Sequence, residues 1–282
     1  MSQQSYKQVL ANMRGLVGKI IQSNLPFFSY SSLVESGKVE NIKILSEFFI
    51  YLLVTQDKSN KLLYSKNNPM NLHLAPSIDD SLYEQLLILQ GVLFNNNSAS
   101  LPDQELTRSQ YDSLLPHERI QYLWILNQTK PENLAIKIKE ALLESNASRQ
   151  TDLYYYDFAD LYYLTHSIFF ACDFGKTDIH KFIGEKIIEK MIQNILADIV
   201  FALKLKHDDL CAELFICVAS IKEHLRPRER ELCQQLFEFF YHNRLVPFLS
   251  KPTVTFSKKT DAYHISLVLG MLGASYANNT RG

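Results

Sequence analysis

The segment DLYYYDFADLYYLTHSIFFACDFG, residues 152–175, decides the fold class of this chain. Aromatic and aliphatic residues occupy nearly every helical position in it, which is typical of a helix buried on most sides. His166 and Asp173 are seven positions apart and would lie on nearly the same face of a continuous helix. Because Asp173 opposes the dipole at the helix C-terminus, we expect it to have a compensating partner. The alternative is that His166 is a hydrogen-bonded core histidine and Asp173 bonds the backbone in the turn at Gly175.

The composition of the whole chain also favours helices. The 282 residues are 46% hydrophobic and 12% aromatic, which is enough to bury a sizeable core. Only 9 residues are glycine and 9 are proline, which disfavours many-stranded sheets and glycine-rich nucleotide-binding folds. The formal net charge of -1 argues against a nucleic-acid binder, because such proteins usually carry an excess of basic residues.

The apolar periodicity predicts an all-α fold of about ten helices in antiparallel pairs, forming a compact α/α bundle or an irregular α-solenoid. The stretch NNNSASLP, residues 95–102, resembles a linker and predicts an N-terminal helical layer over residues 1–98 and a main domain over residues 99–282. One continuous domain is the alternative. Only Thr253–Phe256 has the pattern of a strand. The predicted helices cover 5–24, 39–56, 79–95, 116–128, 131–145, 152–173, 178–206, 208–224, 227–243 and 260–277.

The sequence predicts neither export nor membrane insertion. Charged residues interrupt the N-terminal segment, so we expect no signal peptide there. The most apolar stretch, Ile42–Thr55, is interrupted by Lys43 and Glu47 and is too short to span a bilayer. The four cysteines form no CxxC pair, which favours reduced thiols in a cytoplasmic protein.

A second informative segment is HDDLCAELFICVASI, residues 207–221. Asp209 and Glu213 are four positions apart and share a helix face, where two carboxylates can bind a metal or divide acid and base roles. The alternative is an N-terminal capping aspartate and a surface glutamate. Glu213 lies in an almost unbroken apolar run, so it is expected to need a buried partner, for which His166 is a candidate. His264 lies on the apolar face of the last predicted helix and is expected to be a hydrogen-bonded core histidine.

The stretch YYLTHSIFFACDFG, followed by HDDLCAELFICV, resembles a bacterial helical domain family of unknown function. Its members carry a similar LTH…DFG helix and a later helix with Asp, Leu and Glu-Leu in that order. The resemblance covers residues 150–245. It implies that the positions to compare are Thr165, His166, Asp173, Gly175, Asp209 and Glu213. It also implies an accessory or tailoring role in a peptide or natural-product pathway.

Two hypotheses for function follow from these segments. In the first, His166, Asp173, Asp209 and Glu213 converge on a helical pocket that acts on a small molecule or peptide by acid–base chemistry. In the second, the chain is a non-enzymatic scaffold that binds a partner protein through its many Tyr and Phe residues, which commonly anchor interfaces.

The pair His207-Asp208 gives a third hypothesis. The metal-dependent HD phosphohydrolases are all-helical and use a histidine, then an adjacent His-Asp pair, then a distant aspartate. His180 or His166, followed by His207-Asp208 and Asp261, occurs in that order. Imidazole and carboxylate ligands suit a transition metal that activates water. Apart from this motif, the residue pattern indicates no particular metal or cofactor.

Overall fold

The computed structural model describes residues 3–29, 39–67, 80–94, 106–129, 134–148, 157–251, 253–257 and 262–278. In these residues the chain is helical with short irregular connections, and no strand occurs among them. The predicted all-α class is therefore confirmed, and the helices pack together as a bundle. None of the described helices is long and apolar enough to cross a membrane.

The α-helices have the following bounds in chain order: α1 (Gln3–Ser23), α2 (Val39–Thr55), α3 (Lys58–Asn67), α4 (Asp80–Phe94), α5 (Arg108–Ser113), α6 (Pro116–Asn127), α7 (Ala135–Glu144), α8 (Phe158–Ala171), α9 (Glu185–Leu205), α10 (Asp208–Ile221), α11 (Pro227–Phe240), α12 (Val246–Leu249) and α13 (Ala262–Asn278). A π-helical segment, Tyr241–Leu245, joins α11 to α12. The short helices α3, α5 and α12 are absent from the sequence prediction.

Helices α10 and α13 form the centre of the core. In α10, every residue from Leu210 to Ile221 is buried. Helix α13 packs against α10, α1 and α2, while α8 packs against α10 and α6. The aromatic helix α8 is buried mainly in its second half, and Phe158 at its start is 41% exposed. The most completely buried helix is therefore α10, which carries Glu213, and not the aromatic segment.

A glycine in α13 allows close contact with α2. A Cβ atom added at Gly270 would lie 2.4 Å from Cε2 of Tyr51, a distance that no side chain tolerates. The absence of a side chain therefore lets the Tyr51 ring lie directly on the α13 backbone. This contact fixes α2 against α13 and positions the polar residues that the two helices carry.

The aromatic helix is shorter than predicted at both ends. Asp157 caps α8, because its carboxylate accepts a hydrogen bond from the backbone N–H of Asp160 at 2.9 Å. At the other end the backbone turns left-handed at Asp173 (φ 45°), Phe174 (φ 50°) and Gly175 (φ 88°). The helix therefore stops before Asp173, two residues earlier than a Gly175 cap alone predicts.

The predicted strand Thr253–Phe256 is wrong, because the segment is irregular. The side chain of Asn24 takes the place of a neighbouring strand. Its amide nitrogen donates to the carbonyl of Val254 at 2.7 Å, and its amide oxygen accepts from the backbone N–H of Phe256 at 2.9 Å. The segment is thereby tied to the end of α1.

The predicted domain boundary near residue 98 and the linker 95–102 lie outside the described residues. Helices α1 and α2 contact α13, and their buried side chains belong to the same hydrophobic cluster as those of α10.

Candidate functional site

A polar cleft of about 700 Å³ lies between helices α2, α4, α6 and α8, next to α5. Among the described residues, the lining contains amide, hydroxyl, imidazole and charged side chains together with two aliphatic ones. The lining residues are Lys43, Ser46, Glu47, Ile50, Gln85, Gln110, Ser113, Leu114, His117, Glu118, Gln121, Tyr163 and His166. Of the residues predicted to form a site, His166 is the one that lines this cleft.

His166 faces a buried carboxylate on the neighbouring helix. Nε2 of His166 lies 3.7 Å from Oε2 of Glu213, and the two side chains are 29% and 2% exposed. The structure thus brings together these two residues from α8 and α10. The imidazole stands between the cleft and the buried glutamate. Among the described residues, none forms a hydrogen bond with Nδ1 of His166.

Glu213 has two further polar neighbours in the core. The hydroxyl of Thr165 donates to its Oε2 at 2.6 Å, and Nε2 of His264 lies 3.4 Å from its Oε1. Burial raises the pKa of Glu213, but the charges and hydrogen bonds of His166 and His264 outweigh burial and lower it to about 2. Glu213 is therefore an ionised carboxylate inside the core.

His264 bridges two carboxylates from different helices. Its Nδ1 lies 3.2 Å from Oε2 of Glu47 on α2, while its Nε2 faces Glu213 on α10. Burial lowers the pKa of His264, but the two glutamates outweigh it and raise that pKa well above its ordinary value. Burial raises the pKa of Glu47, but the charges of His264 and Lys43 outweigh burial, so that the pKa is lowered. His264 is therefore a protonated imidazole with two anionic partners.

The sequence predicted that His264 is a hydrogen-bonded core histidine, but it identified neither Glu47 nor Glu213 as its partner. Glu47 was visible only as a charged break in the apolar run of α2. That break was a usable signal, because a carboxylate in a buried helix face needs a partner.

Asp209 lies at the edge of this network. It accepts a hydrogen bond from the Tyr162 hydroxyl, and its Oδ1 lies 2.8 Å from Nδ1 of His207. Its Oδ2 is 4.0 Å from Nε2 of His264. Asp209 is thus connected to Glu213 through a shared histidine, and it does not line the cleft.

Asp173 does not lie near His166, Asp209 or Glu213 and has different partners. It accepts a hydrogen bond from the indole Nε1 of Trp124 at 2.7 Å, and Nζ of Lys176 lies 3.4 Å from its Oδ2. The left-handed backbone at Asp173 breaks the helical spacing that would have placed it on the face of His166. Asp173 therefore has the compensating partners that the sequence predicted, and they are the indole of Trp124 and the ammonium group of Lys176.

His117 is a second histidine on the cleft wall that sequence reasoning missed. Its ring stacks on Tyr163 with centroids 4.1 Å apart and an interplanar angle of 14°, and its centroid is 6.2 Å from that of His166. Burial and the nearby His166 lower the pKa of His117 to about 4. No pattern in the first turn of α6 marked this residue.

The residues of the HD hypothesis have other partners. Both carboxylate oxygens of Asp208 bind the guanidinium of Arg244, at 2.7 and 2.8 Å, so they are engaged by a cation of the chain itself. His180 lies near Glu185, with Nε2 3.6 Å from its Oε2. Asp261 lies outside the described residues. Within the described part of the chain, no group of three or more His, Cys, Asp or Glu side chains is arranged to hold a metal ion.

Comparison with known proteins defines the family. No curated protein and no solved structure matches this chain. A family model matches residues 104–274, a range that includes His166, Asp209, Glu213 and His264 and begins after Glu47. The match is wider than residues 150–245, over which the resemblance was drawn, and confirms an uncharacterised domain family. The chain belongs to the family described as a domain of unknown function, DUF6895.

Proposed function

We propose that the chain binds a polar small molecule or a peptide segment in the cleft and acts on it by proton transfer through His166. One observation carries the proposal: His166 lines the cleft with an ionised, buried Glu213 directly behind it. A carboxylate in this position can orient an imidazole, as in many acid–base sites. Glu213 is then a positioning residue, and His166 contacts the ligand.

The cleft lining supports an uncharged polar ligand. Gln121 donates to Gln85 at 3.2 Å, so the amide hydrogens of Gln85 remain for a ligand. Gln110 uses its carbonyl oxygen to cap α5, which leaves its amide hydrogens available as well. The hydroxyl of Ser46 is buried and has no hydrogen-bond partner among the described residues. Buried hydroxyls are normally paired, so Ser46 is suited to a ligand group.

The biological role in this proposal is an accessory or tailoring function in a bacterial natural-product pathway. It rests on the resemblance of residues 150–245, and the cleft is compatible with it, since such ligands are rich in hydroxyl and amide groups.

The test is NMR-detected binding of two probe classes, N-acetylated monosaccharides and uncharged dipeptides, to isotope-labelled full-length chain. We expect at least one class to shift the resonances of His166 and Gln121. Substitution His166→Gln is expected to weaken that binding at least tenfold, whereas Arg230→Ala, at a separate 370 Å³ pocket, leaves it unchanged. The proposal would be contradicted if His166→Gln left the affinity unchanged, or if neither probe class shifted the resonances of the cleft residues.

A second candidate function, binding of a partner protein, is favoured by an exposed apolar patch. We define the patch by Phe158 at the start of α8 and Val200, Phe201 and Leu205 on α9, which are 41–50% exposed. The rings of Phe158 and Phe201 are 6.1 Å apart, so the patch is continuous between the two helices. Exposed apolar clusters of this kind often mark interaction surfaces.

The second candidate is tested by affinity capture with three forms of the chain. A partner captured by the wild type and by His166→Gln, but lost with Phe201→Asp, supports binding through the patch. Equal capture by wild type and Phe201→Asp contradicts it.

A further inference from the structure

We propose that His117 is a second proton-transfer residue of the cleft, which accepts a proton from the ligand while His166 donates one. The inference rests on the proposed function and deepens it by naming both partners of the proton transfer. It assigns to the cleft a reaction in which the ligand loses a proton at one atom and gains a proton at another.

The geometry allows both rings to reach one ligand. Their centroids are 6.2 Å apart with an interplanar angle of 68°, and both side chains line the same cleft. At this spacing, one ring nitrogen of each histidine can lie at hydrogen-bond distance, about 2.7–3.2 Å, from the same ligand atom or from two adjacent ones. Stacking on Tyr163 fixes the orientation of the His117 ring from behind.

The environments of the two histidines differ in a way that assigns their roles. His166 has the buried carboxylate of Glu213 behind it, with Oε2 of Glu213 3.7 Å from its Nε2. His117 forms no ion pair or hydrogen bond with any described residue. The charged and titratable groups that face the cleft around it are Lys43 and Glu47 on α2, Glu118 on its own helix, and Tyr163 and His166 on α8.

His117 is therefore the base of the pair. Its pKa is lowered to about 4 by burial and by His166, so its imidazole is neutral and able to accept a proton at neutral pH. Two histidines in different environments on one cleft wall are suited to dividing the acid and base roles.

The proton balance closes within the site. His117 takes a proton from an X–H bond of the ligand, and the bonding electron pair stays on the ligand. His166 gives a proton to a second ligand atom that supplies a lone pair. His117 ends protonated and His166 neutral, and exchange with water restores both, since both side chains are partly exposed.

The first test uses diethyl pyrocarbonate, which acylates neutral imidazoles, with mass-spectrometric readout on the full chain and N-acetylhistidine as internal standard. For a free imidazole with the reference pKa near 6.5, the neutral fraction falls about tenfold from pH 7.5 to 5.5. We expect the acylation rate of His117 to change less than twofold over this range. A parallel tenfold fall, or no acylation of His117, would overturn the inference.

The second test measures the coupling of the two rings by NMR titration of labelled histidines. In His166→Gln the titration midpoint of His117 is expected to move up from about 4, because the neighbouring positive charge is gone. The control His180→Gln removes an exposed histidine outside the cleft and should leave that midpoint unchanged. An unchanged midpoint in His166→Gln would overturn the inference. The proposed function is judged separately, by probe binding in the cleft.

Discussion

The imidazole of His264 on α13 contacts the carboxylate of Glu47 on α2 at 3.2 Å, although the two residues are 217 positions apart in the chain. Through its other nitrogen the same ring faces Glu213 on α10. Three helices are thus joined by one protonated histidine directly beneath the cleft. The charge state of Glu213, which lies behind His166, therefore depends on how the core helices pack.

Substitution Glu213→Gln is expected to destabilise the protein by about 3 kcal/mol, because removal of one member of a buried ion pair leaves an uncompensated charge. His264 would keep Glu47 at 3.2 Å and the more distant Asp209 at 4.0 Å. Urea unfolding at pH 7 measures the change. Glu223→Gln, on a side chain that is 78% exposed, is the matched control and should change stability by less than about 0.5 kcal/mol. A similar effect of both substitutions would show that Glu213 is not paired as described.

The contribution of His264 to stability should depend on pH. Its pKa is raised in the folded state, so its stabilisation is complete below the unfolded value near 6.5 and declines as the pH rises through the folded value. The difference in unfolding free energy between wild type and His264→Gln is therefore expected to shrink steadily above pH 6.5. Thermal or urea unfolding between pH 5 and 9 measures it. A difference that stays constant over this range would contradict the assigned charge state.

Substitution Gly270→Ala should destabilise the protein by roughly 1–3 kcal/mol, the usual effect of overpacking a core. The new Cβ would lie 2.4 Å from the Tyr51 ring, so α13 or the ring must shift. Gly15→Ala in α1 is the control, because nothing lies within 4 Å of its added Cβ and alanine favours a helix. Calorimetry is expected to show a lower melting temperature for Gly270→Ala and an equal or higher one for Gly15→Ala. Equal effects would show that α2 and α13 are not in close contact.

Substitution Asp198→Asn is expected to stabilise the protein at pH 8. Asp198 is 1% exposed and its Oδ2 has no hydrogen-bond partner among the described residues, so burial raises its pKa to about 7. A carboxyl group with a raised pKa costs stability as the pH rises from its unfolded pKa through its folded value. The gain at pH 8 should be on the order of 2 kcal/mol and smaller at pH 5. A loss of stability at pH 8 would indicate that the carboxylate has a partner.

Much of the fold was predictable from local pattern, whereas the lining of the cleft was predictable only at His166. Apolar periodicity identified the principal helices, because their buried faces repeat with the helical period. The almost unbroken apolar run around Glu213 indicated a buried glutamate in need of a partner, for which His166 was a candidate; Glu213 is 2% exposed and its Oε2 lies 3.7 Å from Nε2 of His166. This was possible because both residues lie inside regular helices, where the position of a residue in the sequence determines the helix face on which its side chain lies.

The sequence prediction fails where the spacing of two residues along the chain no longer determines which way their side chains point. Asp173 was placed on the face of His166 by assuming a continuous helix, but the left-handed turn redirects it to Trp124. The pair of Glu47 and His264 depends on the close packing of α2 and α13, which no local pattern encodes.

The most direct test of the central claim is a ¹³C NMR titration of the Glu213 side-chain carboxyl in the full-length protein. If His166 and His264 hold Glu213 ionised behind the cleft, its carboxyl carbon should keep the chemical shift of a carboxylate throughout pH 4–8 and titrate only near pH 2. In His264→Gln the midpoint should move upward. A wild-type midpoint at or above the ordinary value of 4.5 would contradict the account.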